Sequence, residues 1–147
     1  MQGRLRIPVC LWSTSLSPSD VMRAFVSWIW VVAWAAVIFV LSSFSELPKI
    51  PSDSGDKYAH FITYAVLASL TAHALASGIW GAVRWRHACL ATGFAVLYGL
   101  TDELHQVFVP GRHPSWSDLA ADAAGALIGV GLLWACAIIA ATRRRSS

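Results

Sequence analysis

Four stretches of this chain are almost continuously apolar, and each is long enough to cross a bilayer as a helix. They run from about 22 to 41 (MRAFVSWIWVVAWAAVIFVL), 57 to 79, 87 to 109 and 118 to 141. A hydrocarbon core takes roughly 20 apolar helical residues. The pattern therefore predicts an all-α, polytopic membrane protein, a bundle of four transmembrane helices. Short segments rich in turn formers separate the runs: SELPKIPSDSGD at 45–56, GIWGAVRWR at 78–86 and PGRHPSWS at 110–117. The expected organisation is a polar N-terminal tail over 1–20, a four-helix transmembrane domain over 21–142 and a basic tail over 143–147. The first run is long, and no clear small-x-small cleavage site ends it, so it reads as a retained span rather than a signal peptide. Met22 is an alternative start to Met1.

Composition sharpens this picture. Only 13% of residues are charged, against roughly 25% in a soluble domain, and the mean hydropathy is +0.57. Both point to a membrane. The pI near 9.0 does not indicate nucleic acid, because the basic residues lie between and beyond the apolar runs rather than on one face. Their distribution sets orientation. Arg4, Arg6, Arg23, Arg84, Arg86, Arg143, Arg144 and Arg145 fall on one side, while only Lys49, Lys57 and Arg112 fall on the other. Both termini and the 78–86 loop are expected in the cytoplasm, and the 45–56 and 110–117 loops outside. Trp80, Trp85 and Trp116 fall near the expected interfaces, where indole rings prefer to sit. Cys10, Cys89 and Cys136 form no disulfide framework and no CxxC metal pattern.

Against this apolar background, ionisable groups gather in one layer. Asp56, His60 and Tyr64 recur every four residues and share a face of the second helix. Asp102, Glu103, His105 and Gln106 occupy the last turns of the third, and Asp118 and Asp122 the first turns of the fourth. At ~1.5 Å rise per residue, Tyr64, Glu103 and Asp122 each lie roughly 6–12 Å inside the outer ends of their helices. Seven of the eight acidic residues lie on this side, Asp20 being the exception. Charged groups at such depth face a bundle interior or a watery cleft, and mark function by default. Packed carboxylates repel, and Lys57, Arg112 and His60 are the available counter-charges. Ala121, Gly125 and Gly129 form a small-residue stripe, read as a helix-packing face.

Each polar residue has a structural reading beside its functional one. Glu103 and Gln106 either contact a ligand or lock helices together. Asp118 complements a helix N-terminus, whereas Asp122, a turn deeper, lacks that role. Arg112 is suited to gripping phosphate or carboxylate, or to bridging Glu103 or Asp118. Lys57 can do the same or extend to the interface. His60 pairs with Asp56 or Tyr64 and is a candidate proton carrier. Glu103, His60 and Asp118 are the catalytic candidates, as general acid and base. Two or three of His60, Glu103, Asp118 and Asp122 could instead hold a divalent metal, although no spacing such as HExxH is present. A through-path for protons is disfavoured, because the cytoplasmic halves carry little beyond His73 and His87.

The stretches DKYAHFITYAVLA, ELHQVFVPGR and SDLAADAAGALIG resemble the VanZ-like membrane proteins. The matching positions are Asp56, Lys57, His60, Tyr64, Glu103, Gln106, Phe108, Pro110, Gly111, Arg112, Asp118, Gly125 and Gly129, spread over about 56–131. Where that pattern usually has Asn, this chain has Asp122, which adds a negative charge that must be protonated or paired with Lys57 or Arg112. The resemblance implies a small bacterial, multi-pass protein of the inner membrane and a role in glycopeptide (teicoplanin) resistance. The resulting expectation is an extracytoplasmic site formed by Asp56, Lys57, His60, Tyr64, Glu103, Gln106, Arg112, Asp118 and Asp122. It would bind or act on a cell-envelope component: a lipid headgroup, a cell-wall precursor or a glycopeptide. No cofactor is expected. A membrane enzyme for a lipid-linked or phosphorylated substrate, and a scaffold for other membrane proteins, are the alternatives.

Overall fold

The computed structural model describes residues 17–45 and 55–144. The expected tail up to residue 16, with Cys10, most of the 45–56 loop with Lys49, and Arg145 lie outside the described residues. Among the described residues there are four α-helices and no strand: α1 (Pro18–Ser42), α2 (Gly55–Leu75), α3 (Trp85–Gln106) and α4 (Trp116–Arg143), with a 3-10 turn at Trp80–Ala82. Two of them, α1 and α4, are long and apolar enough to cross a membrane.

Helix boundaries follow local chemistry. The first helix begins at Pro18, earlier than the apolar run, because Ser17 and Asp20 form a reciprocal capping box and Pro18 occupies the first turn. Asp20 also pairs with Arg23. The second ends at Leu75 rather than 79 because Ser77 and Gly78 turn left-handed, with φ of 55° and 73°. The Gly78 N–H bonds the His73 carbonyl and the Ser77 N–H that of Ala74, each at 3.0 Å. This is the bonding of a Schellman C-cap. The third helix stops at Gln106, and Val109–Arg112 closes as a turn, with Gly111 at φ 80° and a 3.1 Å bond from Arg112 N–H to the Val109 carbonyl. Pro-Gly at its centre is the type II signature.

Consecutive helices run antiparallel, and α2 is the hub. It packs most extensively on α4, with α3 against both and α1 lying chiefly on α2. The close approach of α2 and α4 comes from the small-residue stripe. A Cβ at Gly129 would sit 2.7 Å from the Ala65 carbonyl oxygen, and one at Gly125 would fall onto the Phe61 carbonyl. The buried core is accordingly built from Ala68, Ala72, Ala91, Ala95 and Ala126, with Leu67, Val31 and Val130. The outer faces carry large apolar side chains on every helix, including Val32, Ile62, Leu97 and Leu132. α1 is tied in by directional bonds. Trp34 Nε1 donates to the Thr63 carbonyl at 3.0 Å, and Tyr98 Oη to the Ala35 carbonyl at 2.7 Å. The antiparallel order brings the start of α2, the end of α3, the start of α4 and the end of α1 to one end of the bundle.

Candidate functional site

At that end Asp122 is the most deeply placed carboxylate, 1% exposed, with Glu103 at 5%. His60 and Asp122 lie on facing turns of the tightest helix pair, where the absence of a Cβ at Gly125 lets α2 come close. His60 Nδ1 and Asp122 Oδ1 are 3.0 Å apart. The imidazole stacks parallel to the Tyr64 ring, centroids 6.3 Å apart. Across from them, Gly99 leaves room that a side chain would occupy: a Cβ there would lie 2.8 Å from Asp122 Oδ2 and 3.3 Å from the Tyr64 ring.

Glu103 reaches the start of α4. Its Oε2 accepts the Ser115 backbone N–H at 2.7 Å, and Ser115 is the N-cap residue of that helix. A carboxylate is favoured there because unpaired N–H groups and the helix dipole converge on it. Asp102 is held on both oxygens. Ser42 Oγ donates to Oδ1 at 2.6 Å and Gln106 Nε2 to Oδ2 at 3.3 Å. Next to this network His105 Nε2 lies 3.0 Å from Ser43 Oγ and its ring packs on Phe39. These contacts fasten the end of α3 to the end of α1.

Satisfaction is incomplete at the centre. Tyr64 Oη, Glu103 Oε1 and Asp122 Oδ2 are buried without a hydrogen-bond partner. Beside them is a cavity of about 100 Å³ lined by Ser42, Asp56, His60, Thr63, Tyr64, Asp102, Gln106 and Arg112 on an apolar wall of Ile38, Leu41 and Ala59. A second hollow of about 190 Å³ separates α3 from α4, with Glu103, Leu104, Ser115 and Trp116 in its lining.

Most of the residues expected from the sequence meet here. Asp56, His60, Tyr64, Gln106 and Arg112 face one cavity, while Glu103, Asp118 and Asp122 lie alongside. Lys57 does not join them; it is exposed on the outer surface of α2. The expected pairings are corrected. Asp122 is partnered by His60, not by Lys57 or Arg112, because His60 lies on the face of α2 that packs on α4, whereas Lys57 is exposed and Arg112 is engaged at the Phe44 carbonyl. His60 in turn bonds neither Asp56 nor Tyr64. Glu103 takes a backbone N–H instead of Arg112, whose Nε donates to the Phe44 carbonyl at 3.2 Å. Tyr64 is buried and lines the cavity, whereas Phe108 and Trp116 are largely exposed. Ser42, Gly99 and the Ser115 N–H were not singled out by sequence. Ser42 and Ser43 interrupt the end of an apolar run and Gly99 lies one turn before Glu103, which are the signals that could have found them.

Fold and site together define a class: an all-helical protein with membrane-compatible helices and a polar layer at one end of its interior. The VanZ/LLP1 family matches residues 10–139, and the chain belongs to that family. Searches among curated proteins and among solved structures returned no match. Family membership and the two apolar helices identify a membrane protein.

Proposed function

We propose that the protein is a four-span, multi-pass protein of the bacterial inner membrane, with both termini cytoplasmic, that holds the polar headgroup of an envelope amphiphile from the outer side. The observation that carries this reading is the cavity: polar groups from α1, α2 and α3 and the Arg112 turn converge on a space with an apolar wall. A pocket of about 100 Å³ has room for about three waters at ~30 Å³ each, hence for a phosphate or similar headgroup fragment. Arg112 at its rim can offer an anionic headgroup two parallel N–H bonds. A teicoplanin-type glycopeptide is far larger and would dock outside it, over Phe108 and Trp116. Four spans are supported by large apolar side chains on the outer face of α2 and α3 as well as α1 and α4. Trp80 and Trp85 at one end and Trp116 at the other are exposed, as aromatic belts require. Arg23, Arg84, Arg86, Arg143 and Arg144 all belong to the end opposite the cavity, which orients that end inwards.

The test is a thermal-shift screen of purified protein in detergent against phospholipids of differing headgroup, lipid-linked cell-wall precursors and a teicoplanin-type glycopeptide. A ligand bound only by the folded state raises Tm, by ~2.7 kcal/mol of stability at a hundred times Kd. A shift from one lipid class that is lost in Arg112→Ala and Gln106→Ala supports the reading. Equal shifts in wild type and both variants would remove the cavity from consideration. An enzymatic reading is favoured by one specific contact, the His60–Asp122 pair. A carboxylate that holds one imidazole nitrogen leaves the other free to move a proton. Turnover of a lipid-linked or phosphorylated substrate, abolished in His60→Asn, would establish it.

A further inference from the structure

Behind the cavity, three side chains from three helices converge more tightly than a binding pocket for a headgroup requires. His60, Glu103 and Asp122 each offer one ligand atom, and these atoms all lie within 4.8 Å of one another. We propose that His60 on α2, Glu103 on α3 and Asp122 on α4 form a binding site for a divalent transition-metal ion of the Zn²⁺ or Mn²⁺ kind.

Three observations carry this. The first is unspent bonding capacity. Glu103 Oε1 and Asp122 Oδ2 are buried and unpartnered, on side chains more than nine-tenths buried. Buried polar atoms in folded proteins are nearly always paired, and two carboxylate oxygens can be satisfied together by one cation. The second is charge. Among the described residues neither carboxylate forms an ion pair with a Lys or Arg; the charge partner of Asp122 is His60. Two carboxylates in an apolar surround repel, and a divalent ion neutralises both. The third is geometry. Metal–ligand bonds of about 2.1 Å set neighbouring ligands about 3.0 Å apart at octahedral angles and about 3.4 Å at tetrahedral ones; 3.0 Å separates His60 Nδ1 from Asp122 Oδ1, and the ion would take the place of the proton they share. One imidazole with two carboxylates suits Zn²⁺ or Mn²⁺ better than Mg²⁺ or Ca²⁺, which take oxygen ligands. Ser115, by donating its backbone N–H to Glu103 Oε2, orients the carboxylate so that Oε1 turns inward, as outer partners of metal ligands do. Three protein ligands leave coordination positions for water or for an anionic group in the cavity. A second grouping, Asp56, His60 and Asp118, has the same compactness but is more exposed and has no orphaned atom, so it is the weaker candidate.

The experiment strips the full-length protein with a chelator in detergent and dialyses it against Zn²⁺, Mn²⁺, Mg²⁺ or Ca²⁺. Bound metal is then measured by mass spectrometry. One Zn²⁺ or Mn²⁺ per chain is expected, with Tm rising with metal concentration. Glu103→Gln and Asp122→Asn should each bind at least tenfold more weakly, and His113→Ala should bind as wild type. Pulsed EPR of the Mn²⁺-loaded wild type should show coupling to an imidazole nitrogen, which keeps the test decisive should a variant fail to fold. Substoichiometric binding in the wild type, no nitrogen coupling, or binding lost in Asp56→Asn and Asp118→Asn but kept in Glu103→Gln would each overturn the proposal. Because the readouts are metal content and coordination, failure here leaves the lipid screen of the cavity unaffected, and the converse.

Discussion

Replacing Gly125 by Ala tests the packing that creates the site. A Cβ at that position would fall onto the Phe61 carbonyl, with the carbonyl carbon 2.8 Å and the Phe61 Cα 3.0 Å away. The obstacle is main chain, which cannot rotate aside, so α2 and α4 must separate. Overpacking costs ~1–3 kcal/mol, and an immovable neighbour argues for the upper end. Alanine recovers about 1 kcal/mol over glycine in a helix interior. The net expectation is a loss of about 2 kcal/mol. Gly131→Ala on the same helix meets nothing within 4 Å and should gain about 1 kcal/mol. The ~3 kcal/mol gap is more than a hundredfold in the unfolding equilibrium, readable by SDS titration in mixed micelles followed by tryptophan fluorescence. Phe61 follows His60, and Gly125 lies three residues beyond Asp122, so the same separation should loosen the His60–Asp122 contact. If Gly125→Ala proves as stable as Gly131→Ala, the close α2–α4 crossing is wrong, and with it the pairing at the centre of the site.

Other substitutions probe separate parts of the fold. Ser77 pays a steric cost at φ 55°, so Ser77→Gly should stabilise by ~0.5–1 kcal/mol, seen as a higher Tm. Tyr98→Phe removes the 2.7 Å bond to the Ala35 carbonyl and should cost about 1 kcal/mol in the same SDS titration. Ser42→Ala leaves Asp102 Oδ1 without its donor and should cost ~1.5–3 kcal/mol, as for bonds to charged groups; an unchanged transition would show that Asp102 is not held there. In a cysteine-free background, His113→Cys should react with a membrane-impermeant thiol reagent on intact cells and Arg86→Cys only after lysis. The reverse pattern would invert the topology.

The helices were legible because apolar helices leave a one-dimensional trace: long apolar runs broken by Pro-Gly, Ser-Gly and Arg-rich segments. So was the common depth of Tyr64, Glu103 and Asp122, since depth depends only on counting residues from a helix end. Partnership was not legible, because it depends on the rotation of each helix about its axis and on how near two axes come. Lys57 and Arg112 were sensible counter-charges by sign and depth. Yet Lys57 points away from the bundle, and Arg112, set in a type II turn, reaches the end of α1 instead. What decided the Asp122 partner was the pair of glycines on α4, whose meaning as a helix-packing face was clear but whose partner helix, and consequence for His60, were not. Gly99 shows the same limit: a glycine inside an apolar run reveals that something lies near, not that it is a carboxylate.

The attachment of α1 bears on how the protein is assembled. As the first helix described it leaves the ribosome before its neighbours, yet its side-chain anchors are elsewhere in the chain: the Thr63 carbonyl accepts from its Trp34, and Tyr98 and Asp102 bond to its Ala35 and Ser42. None of these exists until later segments have emerged. Its own apolar surface is mostly turned outward, so little tightly packed area compensates in the meantime. The side-chain bonds that hold α1 can therefore form only after α2 and α3 have been made, and its tie to Asp102 closes when the end of α3 is in place.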